Sequence, residues 1–214
     1  MAAVLAAILI AVILAMPPGL PRGKKGAKFT EVFSRSSNVN ILSLARVFLF
    51  GARDVWFVVG IPIYFSGVLS DGTPAGDRAA FFLIGGFMAG WIILYGAVQA
   101  SAPKLLGASR KSEADLIRTA RTAALALFVI PSLLALAAYL SGGAAGWLTA
   151  TLVIGLLAFG ALFAVNSSLH SYLILAFSKD EQVTMDVGFY YMANAGGRLI
   201  GTVLSGATYQ IGGL

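Results

Sequence analysis

The stretch LSLARVFLFGARDVWFVVGIPIYFS (residues 42–66) decides how the rest of the chain is interpreted. At about 1.5 Å per residue this helix is roughly 37 Å long, which exceeds the ~30 Å hydrocarbon core of a bilayer. Arg53 and Asp54 then fall near the middle of the membrane, where a charge costs several kcal/mol unless it faces a partner or a wet cavity. The stretch therefore predicts a membrane span whose charges either join helices or bind a charged solute.

The composition of the whole chain also indicates a membrane protein. Of the 214 residues, 58% are apolar and 11% are charged, and the mean hydropathy is +0.87, whereas soluble domains contain about 25% charged residues. The apolar residues form separate runs of helical length, which favours an all-α polytopic helix bundle over a transmembrane barrel.

Several kinds of chemistry are excluded by the residues that the sequence lacks. It contains no cysteine and a single histidine, so thiol chemistry and any metal or haem site built on a histidine pair are excluded. Neither a Gly-x-Ser-x-Gly motif nor a phosphate-binding glycine-rich loop is present. We therefore expect no enzyme, no ATP-driven motor, no cofactor and no metal.

Six hydrophobic segments are predicted, of which the first is truncated. Residues 1–16 are interpreted as the end of a transmembrane helix, and 17–41 as a basic connection with a short surface helix near Phe29, Val32 and Phe33. The transmembrane bundle then occupies 42–214, and its later spans are predicted at 79–100, 119–140, 147–169 and 184–208.

Basic residues concentrate in two connections, 17–41 and 104–118, whereas the loops that alternate with them are acidic or neutral. Lysine and arginine are enriched in cytoplasmic loops, so both connections are expected to be cytoplasmic. This orientation accounts for the net charge of +6, and we expect a lipid bilayer and no nucleic acid as a partner.

Glycine and proline predict local features of three spans. Gly60 and Pro62 are expected to loosen the outer half of span 42–66. Two small-xxx-small pairs, Gly86 with Gly90 and Gly197 with Gly201, are expected to allow close helix packing.

The last span carries a polar stripe beside its packing glycines. Its members are three or four residues apart, which places them on one helical face: Tyr191, Asn194, Arg198, Thr202 and Ser205. A helix with such a stripe and small residues on its other faces is typical of one that packs on neighbours while lining a cavity. Asp186 lies near its cytoplasmic end.

Two arginines are predicted to lie deep in the membrane, and their role has two interpretations. Arg53 and Arg198 either converge on an anionic substrate, since guanidinium makes bidentate contacts with phosphate-like oxygens, or each pairs with a buried acid such as Asp54 or Asp186. Adjacent Arg53 and Asp54 point about 100° apart on a helix and are not expected to pair fully. Arg46 shares a face with Arg53.

The remaining polar candidates also have two possible roles each. His170 relays protons or is a hydrogen-bonded interface residue. Asn166, Ser167 and Ser168 line the substrate cavity or form hydrogen bonds between helices. Asp54 and Asp186 carry protons or serve as ion-pair partners. We predict substrate contacts for Arg53, Arg198, Asn194, Tyr191 and Asn166, and proton coupling or ion pairing for Asp54, Asp186 and His170.

The order of connections and spans resembles the C-terminal half of a major facilitator superfamily permease, with 42 onward corresponding to helices 7 to 11. Three stretches further resemble the organoarsenical efflux permeases of the ArsJ group: ARVFLFGARDVWFVVGIPIY (45–64), GWIILYGAVQASAPKLLG (90–107) and TMDVGFYYMANAGGRLIGTVLSG (184–206). This resemblance implies a proton-coupled protein of the bacterial inner membrane that exports 1-arseno-3-phosphoglycerate and confers arsenate resistance.

The resemblance also implies two partners. The first is a missing N-terminal half of the same transporter, since such permeases have about twelve helices and half a cavity cannot alternate access alone. The second is a functional link to glyceraldehyde-3-phosphate dehydrogenase, which makes the arsenical substrate. Two alternatives stay open: an exporter of another small organic anion or drug, and a half-size membrane subunit for assembly or regulation.

Overall fold

The computed structural model describes residues 2–15, 33–143, 146–178 and 182–212, and within them the ordered elements are all helices. Residues 1–32 form one compact unit and residues 33–214 a second. Helix α1 (Ala2–Ala15) belongs to the first unit. The surface helix predicted within 17–41 falls mostly on 17–32, which lie outside the described residues.

The described part of the second unit contains six further α-helices and a short 3-10 helix, Ala108–Arg110, and serine and threonine cap several of the α-helices. Ser36, Thr73 and Ser112 each accept a hydrogen bond from a backbone N–H in the first turn of the helix that follows, which is the usual role of an N-cap. The helices are α2 (Ser37–Phe57), α3 (Gly60–Leu69), α4 (Pro74–Leu105), α5 (Glu113–Ser141), α6 (Gly146–Phe177) and α7 (Val183–Gly212).

The predicted weak point in the first span is confirmed. Helix α2 ends at Phe57, and α3 begins at Gly60 after a two-residue break. Pro62 lies in the first turn of α3, where its missing N–H leaves no hydrogen bond unmade. The span itself is longer than 42–66, because Ser36 caps α2 and the helix starts at Ser37.

Four of the described stretches are long and apolar enough to cross a membrane: Ser37–Leu69, Pro74–Arg110, Glu113–Ser141 and Gly146–Phe177. They are consistent with a membrane protein. Helices also form at the other two predicted positions, but α1 has only 14 residues, and α7 is not among the four stretches. The number of six spans therefore stays a prediction.

Helix α6 is the centre of the second unit, since α2, α4, α5 and α7 all contact it. Its buried side chains recur every three or four residues from Leu148 to Phe163, and residues 166–170 are then all buried. At 32 residues it extends well beyond one membrane crossing. The polar residues 166–168 and His170 therefore lie on the most buried helix of the unit.

The two glycine pairs have different outcomes. Gly197 and Gly201 face the backbone of α2, so close packing is confirmed for this pair: a β-carbon at Gly201 would come within 2.5 Å of the carbonyl oxygen of Gly51. For Gly86 and Gly90 the prediction stays untested, since no other described helix comes within 4 Å of the position of a β-carbon at either residue.

Candidate functional site

Arg46 lies at the junction of three helices and is 3% exposed. Its Nη1 donates to the hydroxyl of Ser167 on α6 at 3.0 Å and to the carbonyl oxygen of the same residue at 3.3 Å. The guanidinium carbon lies 4.1 Å from the ring centre of Phe50 and 4.8 Å from that of Tyr190 on α7. Arg46 is therefore held by hydrogen bonds and aromatic rings, and not by any acid of the described residues.

No carboxylate within the described residues forms an ion pair with Arg46, and its buried Nε has no hydrogen-bond partner among them. A cation over an aromatic ring gains about 2 kcal/mol or more when desolvated. The desolvation of a buried charge costs several kcal/mol. The two rings and Ser167 thus offset this cost without a counter-charge among the described residues, and the Nε donor of the guanidinium stays free.

A second charged group lies two turns further along α2, where one carboxylate serves two arginines. Asp54, which is 1% exposed, accepts from Arg53 Nε at 2.6 Å through Oδ1 and from Arg198 Nε at 3.2 Å through Oδ2. Arg53 and Arg198 therefore do converge from different helices, but on Asp54. The ion-pair interpretation describes this arrangement, and two guanidiniums with one carboxylate leave a formal charge of +1.

The contact between Arg53 and Asp54 corrects an expectation from helix geometry. Their side chains leave α2 in different directions, but the length of the arginine side chain lets Nε reach back to Oδ1. The pairing uses a single nitrogen, and the other carboxylate oxygen is left for Arg198.

Phe50 connects the two charged groups. Its ring, which is buried, lies 4.1 Å from the guanidinium carbon of Arg46 and 4.8 Å from that of Arg53. Phe163 on α6 packs against Phe50 edge to face at 5.0 Å and also lies below Arg53 at 5.2 Å. The Phe50 ring thus contacts the guanidiniums of both Arg46 and Arg53, which extend from the same side of α2.

The glycine seam between α2 and α7 sets the distance across which Arg198 reaches Asp54. Gly197 and Gly201 flank Arg198 and lie against Val47 and Gly51 of α2. A β-carbon at Gly201 would also come within 3.1 Å of the β-carbon of Asp54. The close approach of the two backbones therefore brings the ion pair together.

The predicted polar residues of α6 are buried, and one of them, Ser167, contacts Arg46. Asn166, Ser167 and His170 are all buried, and Tyr95 of α4 donates to the Ser167 hydroxyl at 3.3 Å. Within the described part of the chain, neither Asn166 Oδ1 nor His170 Nδ1 has a hydrogen-bond partner. These groups make the surroundings of Arg46 polar although water is largely excluded.

The predicted stripe on α7 does not behave as one surface. Tyr191 and Arg198 are exposed, the latter side chain by 59%, whereas Asn194 is half-buried and Ser205 is buried. Asp186 is buried in the first turn of α7 and forms no ion pair with the described basic residues. Only Arg198 of this helix reaches the charged group on α2.

The predicted substrate and proton-coupling residues did not include Arg46, Phe50 or Tyr190. The spacing of Arg46, Phe50 and Arg53 by four and three residues is a detectable signal for one helical face. Nothing in the sequence links Arg46 to Ser167, since 121 residues separate them. Among the described residues, no three His, Asp or Glu side chains are close enough to hold a metal ion.

Comparison with models of protein families, with curated proteins and with solved structures finds no match to this chain.

Proposed function

We propose that the chain is part of a secondary transporter that exports a small organic anion, and that Arg46 is a substrate-binding residue. The observation that carries the proposal is a guanidinium buried among three helices with no carboxylate partner among the described residues. An ionisable residue inside a membrane bundle that is not neutralised by a neighbour indicates a binding site for charge.

The chemistry of Arg46 favours an anion with several oxygens. Guanidinium presents five N–H donors in a planar fork that matches phosphate and similar groups. Ser167 occupies Nη1, and Nε remains unpartnered. When the helices around Arg46 part, as alternating access requires, an oxyanion would accept hydrogen bonds from the free donors and supply the missing negative charge.

The Arg53–Asp54–Arg198 group gives Asp54 the role of ion-pair partner of both arginines. Asp54, Asp186 and His170 remain the candidates for proton coupling. Arg53, Arg198 and Asn166 remain candidate substrate contacts.

The identity of the substrate rests on the family resemblance. The resemblance to major facilitator permeases of the ArsJ group favours 1-arseno-3-phosphoglycerate, exported across the bacterial inner membrane after its formation by glyceraldehyde-3-phosphate dehydrogenase. A compact polyanion of this kind fits a site with a net positive charge.

A second candidate function is export of an apolar or drug-like compound, and one cavity favours it. A space of about 340 Å³ opens between α2, α3, α5, α6 and α7, and its lining is mostly apolar. Trp56, Leu134, Leu156 and Tyr209 are among the residues that line it. Ligand pockets for small molecules are commonly of this size and polarity.

An arsenate-resistance assay of the complete gene tests the proposal. In an arsenate-sensitive strain that also expresses glyceraldehyde-3-phosphate dehydrogenase, we expect wild type to confer resistance. Arg46→Lys should lower it at least about 10-fold, since bidentate geometry is lost, and Arg46→Gln should abolish it. Arg118→Gln changes an exposed arginine and is the matched control.

Two outcomes would contradict the proposal. Full resistance in both Arg46 variants would exclude Arg46 from substrate binding. Resistance that does not depend on the dehydrogenase would exclude the specific arsenical. Resistance of the cells to apolar toxins that is lost on Leu134→Trp, which fills the apolar cavity, would favour the second candidate.

A further inference from the structure

A cavity of about 380 Å³ lies at the end of α4, away from the charged groups described above. It is formed where α4 passes into the turn 106–111 and where α6 crosses beside that turn. The surface that lines the cavity is polar and apolar in about equal parts. The residues that line it include Pro103, Lys104, Gly107, Ser109, Arg110 and Tyr172.

The turn that forms the cavity is firmly anchored. Ala108 is buried and packs in one apolar cluster with Leu169 and Leu173 of α6. Gly107 has a φ of 60°, a conformation that glycine adopts without strain. Arg110 N donates to the carbonyl oxygen of Gly107 at 2.9 Å, which closes the turn. The backbone positions of Lys104 and Arg110 are thus set by a packed turn, and both side chains are exposed.

The two basic residues of the cavity have no acidic partner. Among the described residues, neither Lys104 nor Arg110 lies within 4.0 Å of a carboxylate oxygen. Asp115, the acid nearby on α5, accepts from Ser112 and lies 4.0 Å from Arg118. The cavity therefore presents two positive charges that the described chain leaves unneutralised.

The cavity also lies at the boundary between an apolar and a polar surface. Leu105, directly after Lys104, is 79% exposed, and Ile92 and Ile93 are exposed earlier on α4. Such side chains are expected to face lipid tails, whereas Lys104 and Arg110 belong to the connection that the positive-inside pattern predicts to be cytoplasmic. Tyr172, half exposed at the rim, is of a type enriched at membrane interfaces.

We propose that this cavity is a binding site for a phosphate group, and that the group is the headgroup of an anionic phospholipid. Lys104 and Arg110 would neutralise the phosphate, and the Tyr172 hydroxyl would donate to one of its oxygens. The exposed Leu105 would contact the acyl chains that such a lipid brings with it and a free phosphate lacks. This site is independent of Arg46 and of the transported species.

The test measures lipid binding to the purified full chain in a neutral detergent by native mass spectrometry and by the shift of its thermal unfolding. The probes are phosphatidylglycerol, phosphatidylcholine and inorganic phosphate. We expect one phosphatidylglycerol to bind in preference to phosphatidylcholine. Lys104→Gln with Arg110→Gln should weaken it roughly 30-fold, since each basic residue at an anionic surface contributes about a factor of five.

A matched double variant distinguishes a built site from general surface charge. Lys111→Gln with Arg118→Gln removes the same number of charges from the same connection but spares the cavity lining, and it should keep the binding of wild type. Lys104→Arg with Arg110→Lys keeps both charges and should restore most of it.

Three results would overturn the proposal: equal loss in both double variants, unchanged binding in the Lys104 and Arg110 variant, or no preference for phosphatidylglycerol over phosphatidylcholine. If inorganic phosphate displaces the lipid and stabilises the protein to the same extent, the phosphate site stands and its lipid assignment fails.

Discussion

The interface of α2 with α7 and the segment made of α4 and the loop before it contain the same kinds of residues in opposite settings. Each has an aspartate and a pair of glycines four residues apart. Asp54 is buried and shared by two arginines, whereas Asp71, just before α4, is exposed and bonded to Thr73. Gly197 and Gly201 contact the backbone of α2, whereas no other described helix packs against Gly86 and Gly90.

The difference lies in what the neighbouring helix offers. Opposite Gly197 and Gly201, α2 has its own glycine, Gly51, whose β-carbon position lies 3.2 Å from the carbonyl oxygen of Gly197. Small residues on both sides let two backbones approach, and a small-xxx-small pair on one helix alone does not ensure it. The charged group at Asp54 forms because this approach brings α7 within reach.

The largest effect is expected for Asp54→Asn. This change removes the one anion between Arg53 and Arg198 and leaves Arg53 buried without a counter-charge, which should cost about 4 kcal/mol of stability. The same substitution at exposed Asp71 should change stability far less, since Asp71 forms no ion pair among the described residues. Thermal and denaturant unfolding of both variants in detergent micelles measures the contrast.

Equal losses of stability in the two aspartate variants would show that the buried ion pairs do not hold α2 and α7 together. A further change of Arg53→Met in the Asp54→Asn background should recover part of the lost stability, since the uncompensated buried cation is then gone.

A smaller effect is expected for Gly201→Val. Its β-carbon would collide with the carbonyl of Gly51 and with Asp54, so the helices must separate, at a cost of about 3 kcal/mol. Gly90→Val places the same side chain on an open surface and should change stability by no more than about 0.5 kcal/mol. Unfolding curves of the two variants, recorded at equal protein concentration, provide the comparison.

If Gly90→Val is as damaging as Gly201→Val, the described surface of α4 is covered by a partner and its exposure is not a property of the working protein. If both are harmless, the close approach of α2 and α7 is not required for folding.

Much of the fold follows from the sequence because it depends on local and average properties. The helices at every predicted segment, the break before Gly60 and the close packing of Gly197 with Gly201 come from hydropathy, glycine and proline. The start of α2 at Ser37 was missed, since Ser36 acts as an N-cap outside the apolar run.

The site was less predictable because it depends on which faces meet. Sequence spacing correctly placed Arg46 and Arg53 on one side of α2. It does not reveal that Asp54 pairs with both Arg53 and Arg198, or that Arg46 has no acidic partner among the described residues. That outcome is set by the rotation of α6 and α7 around α2, which no local pattern encodes. The residue with the strongest physical argument for binding was therefore not among those predicted.

The smallest effect is expected on the pKa of Asp71, the exposed aspartate. The side-chain hydroxyl of Thr73, and next its backbone N–H, donate to Asp71 and hold the pKa of this carboxyl below its ordinary value. Thr73→Val removes the hydroxyl, so the pKa of Asp71 should rise, whereas Thr73→Ser should keep it low. Carboxyl ¹³C NMR of aspartate-labelled protein, with Asp71→Asn to assign the signal, measures it.

The sign of the associated pH dependence follows from the lowered pKa. A carboxyl whose pKa is lower in the folded state stabilises the fold above its unfolded pKa of about 3.9, and this contribution is lost as the pH falls through the folded value. Thr73→Val should therefore lose less stability on acidification than wild type, although it also loses the N-cap of α4 at every pH. A titration of Asp71 that is the same in both proteins would show that the loop hydroxyl does not act on this carboxyl. Asp71 would then no longer serve as the exposed aspartate with which the buried Asp54 is compared.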